Sequence, residues 1–172
     1  MHDVTWLVGF THMNVVLIAS DAGLILIDAG LPQAAPLVER SLTAAGFRIQ
    51  DVKYILSSEP HYDHAGGLAA LARDSGITVL ASRAGARVLR AGHSGAEDPQ
   101  RVELLAYLAV RRVGIVRECQ VIRLGDVAIT AHATPGHTPG QHELDMGFLL
   151  PRAIWLREHR LCRDGRGAAT AG

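Results

Sequence analysis

The chain has 172 residues, enough for one domain with a real core and too few to expect two. Hydrophobic residues make up 48% and charged residues 20%, and Lys+Arg and Asp+Glu number 17 each, so the formal charge is zero. Nothing in that balance supplies the basic surface that nucleic acid or an acidic membrane calls for. Two cysteines, Cys119 and Cys162, are too few for a disulfide framework and lack the spacing of a thiolate zinc site; Cys119 reads as a small buried apolar side chain.

The opening residues have no basic stretch, and their apolar run is broken by His12 and Asn14, so they do not read as a signal peptide. No run approaches the roughly 18 apolar residues of a membrane span. The chain as given is expected to stay in the cytoplasm, unless a leader was removed.

The first strands lie in Asn14–Gly30, where "NVVLIAS" and "GLILIDAG" are rich in β-branched residues and flank the turn signal Asp21-Ala22-Gly23. Ala34–Ala45 carries Leu37, Val38, Leu42 and Ala45 at a helical period, with Gly46 as the stop. Val52–Leu56 is a short buried strand, Leu68–Ala72 a helix, and Ile77–Ala81 the next strand. Ser82 can cap a helix over Arg83–Leu89, and Ala91–Gln100 is the most loop-like internal stretch. Val121–Leu124 and Val127–Ala131 form a hairpin around Gly125-Asp126. Strands alternating with helices, then a hairpin, predict an α/β fold with a mixed sheet. From Gln141 the alternation fades, and Arg157–Gly172 is Arg- and Gly-rich with little to bury. The domain is therefore expected to span 1–140, with 141–172 a tail outside it: a solvated extension, or the product of a frameshift or artificial junction.

Two motifs carry chemistry. In "SSEPHYDHAGG" (Ser57–Gly67), His61, Asp63 and His64 follow an apolar strand, and imidazole with carboxylate suits zinc. On an extended chain 61 and 63 would point one way and 64 another, so successive ligands would face two adjacent ions. Gly66 and Gly67 would let the backbone turn tightly beside them. The plainer reading is a polar loop with Asp63 as a helix cap. The second motif, "TPGHTPG" (Thr134–Gly140), holds His137 between two Pro-Gly turns after a strand, a rigid place from which to present a ligand.

"LILIDAGLP", "HYDHAGG" and "ATPGHTPG", in this order across roughly Val4–Gly140, resemble the metallo-β-lactamase superfamily, most closely its class B β-lactamases of the third subclass. The resemblance implies an αβ/βα sandwich with mixed β-sheets, incomplete here, with the first half and the start of the second. It also implies two zinc ions. His61 and His137 match ligands of the first, with Glu59 in the place of the family's first His; Asp63 and His64 match ligands of the second. A carboxylate can bind zinc, so a Glu/His/His site is chemically sound. Asp28 matches a structural Asp at the end of an early strand, and His132 is expected to pack or to support the ligands. The implied reaction is attack of a zinc-bound hydroxide, oriented by Asp63, on a β-lactam amide, and hence antibiotic resistance.

The family's further second-zinc His lies well beyond "HTPG", and neither His142 nor His159 has its context. On that count the chain reads as truncated or frame-shifted, with an open sheet through which it would self-associate. The expected partner is a small-molecule substrate, a β-lactam first, with no nucleic acid and no membrane. The resemblance itself would suggest a periplasmic location. Two other readings stay open: another hydrolase of the fold, acting on a lactone or thioester, and a non-catalytic metal-binding remnant.

Overall fold

The computed structural model describes residues 4–10, 13–73, 75–98 and 106–148. Three strands, β1 (Val4–Phe10), β2 (Met13–Ser20) and β3 (Gly23–Ile27), pair antiparallel in that order. β4 (Val52–Leu56), β5 (Thr78–Ala81) and β6 (Val113–Ile115) then add in parallel, giving one six-stranded sheet in sequence order. Each parallel step needs a crossover. Helix α1 (Ala35–Ala44) makes the first, the short pair α2 (Tyr62–Ala65) and α3 (Leu68–Ala72) the second, and α4 (Arg83–Ala91) begins the third. β7 (Val121–Leu124), β8 (Val127–Ala133) and β9 (His142–Phe148) form a separate antiparallel sheet.

The period-two pattern of the strands sorts their side chains onto two layers. Leu17, Leu24, Leu26, Ile55 and Val79 face the helices and bury Val38, Leu42, Leu68, Leu71 and Leu89. Their neighbours Ile18, Ile25 and Leu56 face the other way, against Ile122, Val127, Ile129 and Ala131 of the small sheet. Both faces of the large sheet thus carry a packed layer among the described residues, where the half-sandwich reading expected an open apolar face. Among the described residues, the large hydrophobic side chains left exposed are Leu108 and Val121.

The predicted strands, α1 and the hairpin are where the residue pattern put them, and α4 extends two residues further than expected, to Ala91. β1, β6 and β9 were not anticipated. β9 pairs with β8 from Ala133↔His142 to Val127↔Phe148, so regular structure continues past Gly140, where the sequence pattern fades; its partner strand, rather than its own alternation, holds it. Cys119 differs from expectation too. It is half-buried and its φ is 57°. Residues 149–172, which include His159, Cys162 and the Arg/Gly-rich stretch, lie outside the described residues.

Candidate metal centre

The parallel strands all point their C-terminal ends at one rim of the sheet, the usual place for a site in such folds. Asp28 follows β3, residues 57–61 follow β4, Ser82 follows β5, and the loop between β8 and β9 closes over them.

Asp28 sits at φ 63°, a left-handed conformation that a short polar side chain tolerates. The residue is buried, and its carboxylate serves as an anchor. Oδ1 accepts the Ser58 N–H at 2.8 Å, and Oδ2 accepts the Ser58 hydroxyl at 2.6 Å and lies 2.9 Å from His64 Nδ1. The Asp at this strand end therefore ties the metal loop to β3.

The loop itself is not extended past His61. Tyr62–Ala65 is one helical turn, with His61 as its N-cap and bonds from His64 N and Ala65 N to the His61 carbonyl at 3.1 and 2.8 Å. His61 and His64 are thus one turn apart on a single face, not alternating on a strand. Asp63 lies inside the turn and does not cap it. Gly66 and Gly67 keep helical dihedrals, so their role is close approach and not a special φ. A Cβ on Gly67 would lie 2.4 Å from the Ala29 carbonyl oxygen, and one on Gly66 would lie 2.4 Å from Pro32 Cδ.

The "TPGHTPG" loop is pinned at its C-terminal end. The Ser82 hydroxyl donates to the Gly140 carbonyl at 3.0 Å, Gly140 N–H donates to Thr138 Oγ1 at 3.1 Å, and His142 N–H reaches the Ser58 carbonyl at 2.8 Å. Together these hold His137 over His61, with ring centroids 4.8 Å apart at an interplanar angle of 82°.

Three ligand atoms converge there. His61 Nδ1 lies 3.1 Å from Glu59 Oε2 and 3.1 Å from His137 Nε2, and His137 Nε2 lies 3.3 Å from Glu59 Oε2. Zinc bonds of about 2.0–2.1 Å in a tetrahedron put ligand atoms about 3.3 Å apart. Glu59 is buried, and Oε2 receives no hydrogen bond of good geometry although two ring nitrogens lie close. A buried carboxylate oxygen left this way costs free energy unless a cation meets it. The donor set, its spacing and this orphaned oxygen all fit a metal ion held between the three residues.

The neighbouring position is looser. Glu59 Oε1 lies 3.1 Å from His64 Nε2, so one carboxylate spans both positions. Asp63 is about half exposed, with Oδ2 3.8 Å from His64 Nε2. Burial pulls the His64 pKa down, but the Asp28 hydrogen bond and the charges of Asp28, Glu59 and Asp63 outweigh it and carry it up to about 9. A metal ion at Nε2 would take the place of that proton.

Two contacts to this site come from residues the sequence did not flag. Asp98, in the loop-like stretch after α4, places Oδ2 2.8 Å from His61 Nε2, and the Tyr107 hydroxyl donates to the Pro60 carbonyl at 2.6 Å. His132 and His142 are buried elsewhere: His132 Nδ1 lies 3.8 Å from Glu118. Glu118, Cys119 and His132 form a second cluster of possible ligand atoms.

A family model described as Metallo-beta-lactamase superfamily matches residues 8–148. Among solved structures, a B3 metallo-beta-lactamase described as having an active-site glutamic acid is 51% identical, with a TM-score of 0.76 over 80% of this chain and 52% of that one. A metallo-beta-lactamase of Cronobacter sakazakii is 37% identical, with a TM-score of 0.78 over 85% of this chain and 57% of that one. Among curated proteins, a hydroxyacylglutathione hydrolase of Anaeromyxobacter dehalogenans (strain 2CP-C) is 36% identical over 125 residues, 72% of this chain and 38% of that protein. The chain thus spans about half the length of the solved relatives and less of the curated one. Among the described residues no helix is long and apolar enough to cross a membrane.

Proposed function

The chain belongs to the metallo-beta-lactamase superfamily of metal-dependent hydrolases, and from that membership we propose that it is a zinc-dependent hydrolase that opens the cyclic amide of β-lactams. The observation that carries the reading is the Glu59, His61 and His137 triangle. Its spacing and its orphaned oxygen fit zinc, and a 51% identical relative is described by an active-site glutamic acid.

In this reading Glu59 Oε2, His61 Nδ1 and His137 Nε2 hold the first zinc, and Asp63 and His64 Nε2 offer ligands to a second. When bound, zinc supplies a Lewis acid for the substrate carbonyl and acidifies an attacking water. Asp28 keeps His64 Nδ1 engaged and so directs Nε2 inward. The half-exposed Asp63 carboxylate orients the attacking water and accepts its proton. Glu59 brings a full negative charge to the first position, which a third imidazole would not, and so favours retention of the dication over further acidification of water.

A second reading, hydrolysis of a glutathione thioester, is favoured by the 36% identity to a hydroxyacylglutathione hydrolase. Zinc-loaded protein assayed side by side on a chromogenic cephalosporin and a hydroxyacyl-glutathione thioester separates the two. Zinc-dependent turnover of the cephalosporin, abolished by chelation, is expected. Turnover of the thioester alone would replace the first reading with the second, and turnover of neither would remove both.

A further inference from the structure

We propose that Asp98 is a positioning residue that sets the tautomer of His61, holding the ring proton on Nε2 so that Nδ1 is the nitrogen offered to the metal. The consequence for zinc rests on the proposed function above; the tautomer itself rests only on geometry.

An imidazole can give a metal one lone pair, and the hydrogen bond made by the other nitrogen decides which. Of the three histidines around Glu59, the two on the metal loop present opposite nitrogens: Nδ1 from His61 and Nε2 from His64. Behind each ring, on the remaining nitrogen, stands a buried carboxylate. For His64 it is Asp28, at 2.9 Å from Nδ1. For His61 it is Asp98, at 2.8 Å from Nε2, its side chain 3% exposed. Nothing else in the metal loop supplies this choice, because His137 and Glu59 both lie on the Nδ1 side.

The segment carrying Asp98 is built to hold it there. Asp98 N–H bonds to the Gly95 carbonyl at 3.2 Å. Gly92, at φ 77°, accepts the Tyr107 N–H at 2.9 Å, and a Cβ there would lie 2.5 Å from the Tyr107 carbonyl oxygen. The Tyr107 hydroxyl in turn fastens Pro60, the residue before His61.

The test uses the full chain and its Asp98→Asn variant. An amide can turn its N–H toward Nε2 and favour the other tautomer, a perturbation that keeps side-chain volume. Long-range 1H–15N spectra of the metal-free protein, above the imidazole titration range, should show His61 protonated at Nε2 in the parent and at Nδ1 in the variant. Zinc affinity, from chelator competition, should fall about 10- to 100-fold in the variant. Tyr107→Phe should leave the tautomer unchanged, because it touches only the Pro60 carbonyl. A parent protein with His61 protonated at Nδ1 overturns the inference, and so does an Asp98→Asn protein with parental tautomer and zinc affinity. The parent spectrum decides even if the variant does not fold. A parent with the Nε2–H tautomer that binds no zinc would overturn the proposed function and leave the positioning role intact.

Discussion

Replacing Glu59 by Gln removes the one anionic donor from the ligand triangle while keeping its volume. In the metal-free protein two effects offset. The variant loses the 3.1 Å approach of Oε1 to the charged His64, and it relieves the unpartnered, buried Oε2. Its melting temperature without metal should therefore stay within a few degrees of the parent. Zinc separates the proteins. At a free zinc concentration of about 100 Kd, linkage stabilises the parent by about 2.7 kcal/mol, which for a chain of this size is a rise of about 5–11 °C. If the lost carboxylate weakens zinc by about 100-fold, the same zinc adds only about 0.4 kcal/mol to the variant, a rise of about 1–2 °C. Differential scanning fluorimetry with and without a zinc buffer reads both numbers. A variant that keeps the parental zinc-dependent rise would remove Glu59 from the metal site. A variant destabilised equally with and without metal would make Glu59 a structural residue only.

Gly67→Ala should destabilise by about 1–3 kcal/mol, because its Cβ would meet the Ala29 carbonyl oxygen at 2.4 Å; a denaturant midpoint indistinguishable from the parent would refute this. Ile129→Ala, fully buried between the two sheets, should cost about 2–5 kcal/mol in the same measurement, and a smaller loss would show that the small sheet is not firmly packed. The pH dependence of the metal-free protein should have two limbs. His64 has a folded pKa of about 9, so its contribution is complete below its ordinary pKa of 6.5 and is lost as pH rises from there through 9. For His142 burial lowers the pKa, with Glu118 opposing and His132 reinforcing, so its contribution is present above 6.5 and is lost as pH falls below that value. Thermal melts from acid to alkaline pH, on the parent, His64→Gln and His142→Gln, should assign one limb to each residue; a limb that survives its own substitution refutes the assignment.

Much of this was legible because local pattern and tertiary role coincide. β2, β3 and β4 announce themselves by β-branched residues that end up buried between two layers, and Ser82 was readable as a cap because capping is a local event. Glu59, His61 and His137, candidates from the two motifs and the family resemblance, are brought together in the structure. What failed was conformation at residue scale: His61 starts a helical turn, and an extended reading of 61–64 aimed the side chains differently. β6, three residues long, gives periodicity too little length to register. Asp98 and Tyr107 escaped for another reason. They touch His61 and Pro60 across 37 and 47 positions of chain, Asp98 from the stretch whose composition says only loop and Tyr107 from beyond it, where no element was expected.

The Ser82 hydroxyl uses both of its capacities at once. It accepts from Gly85 N–H at 2.7 Å, starting α4, and donates to Gly140 at 3.0 Å, three residues from His137. At the same place Gly140 packs so closely on Gly85 that a Cβ on it would lie 2.7 Å from Gly85 N. A helix start and the loop that carries His137 therefore share one fastening. Fraying at the first turn of α4 would loosen the loop that carries His137 as well as the helix. In the proposed reading, the affinity of this centre for an ion is thus tied to the integrity of a helix that contributes no candidate ligand of its own.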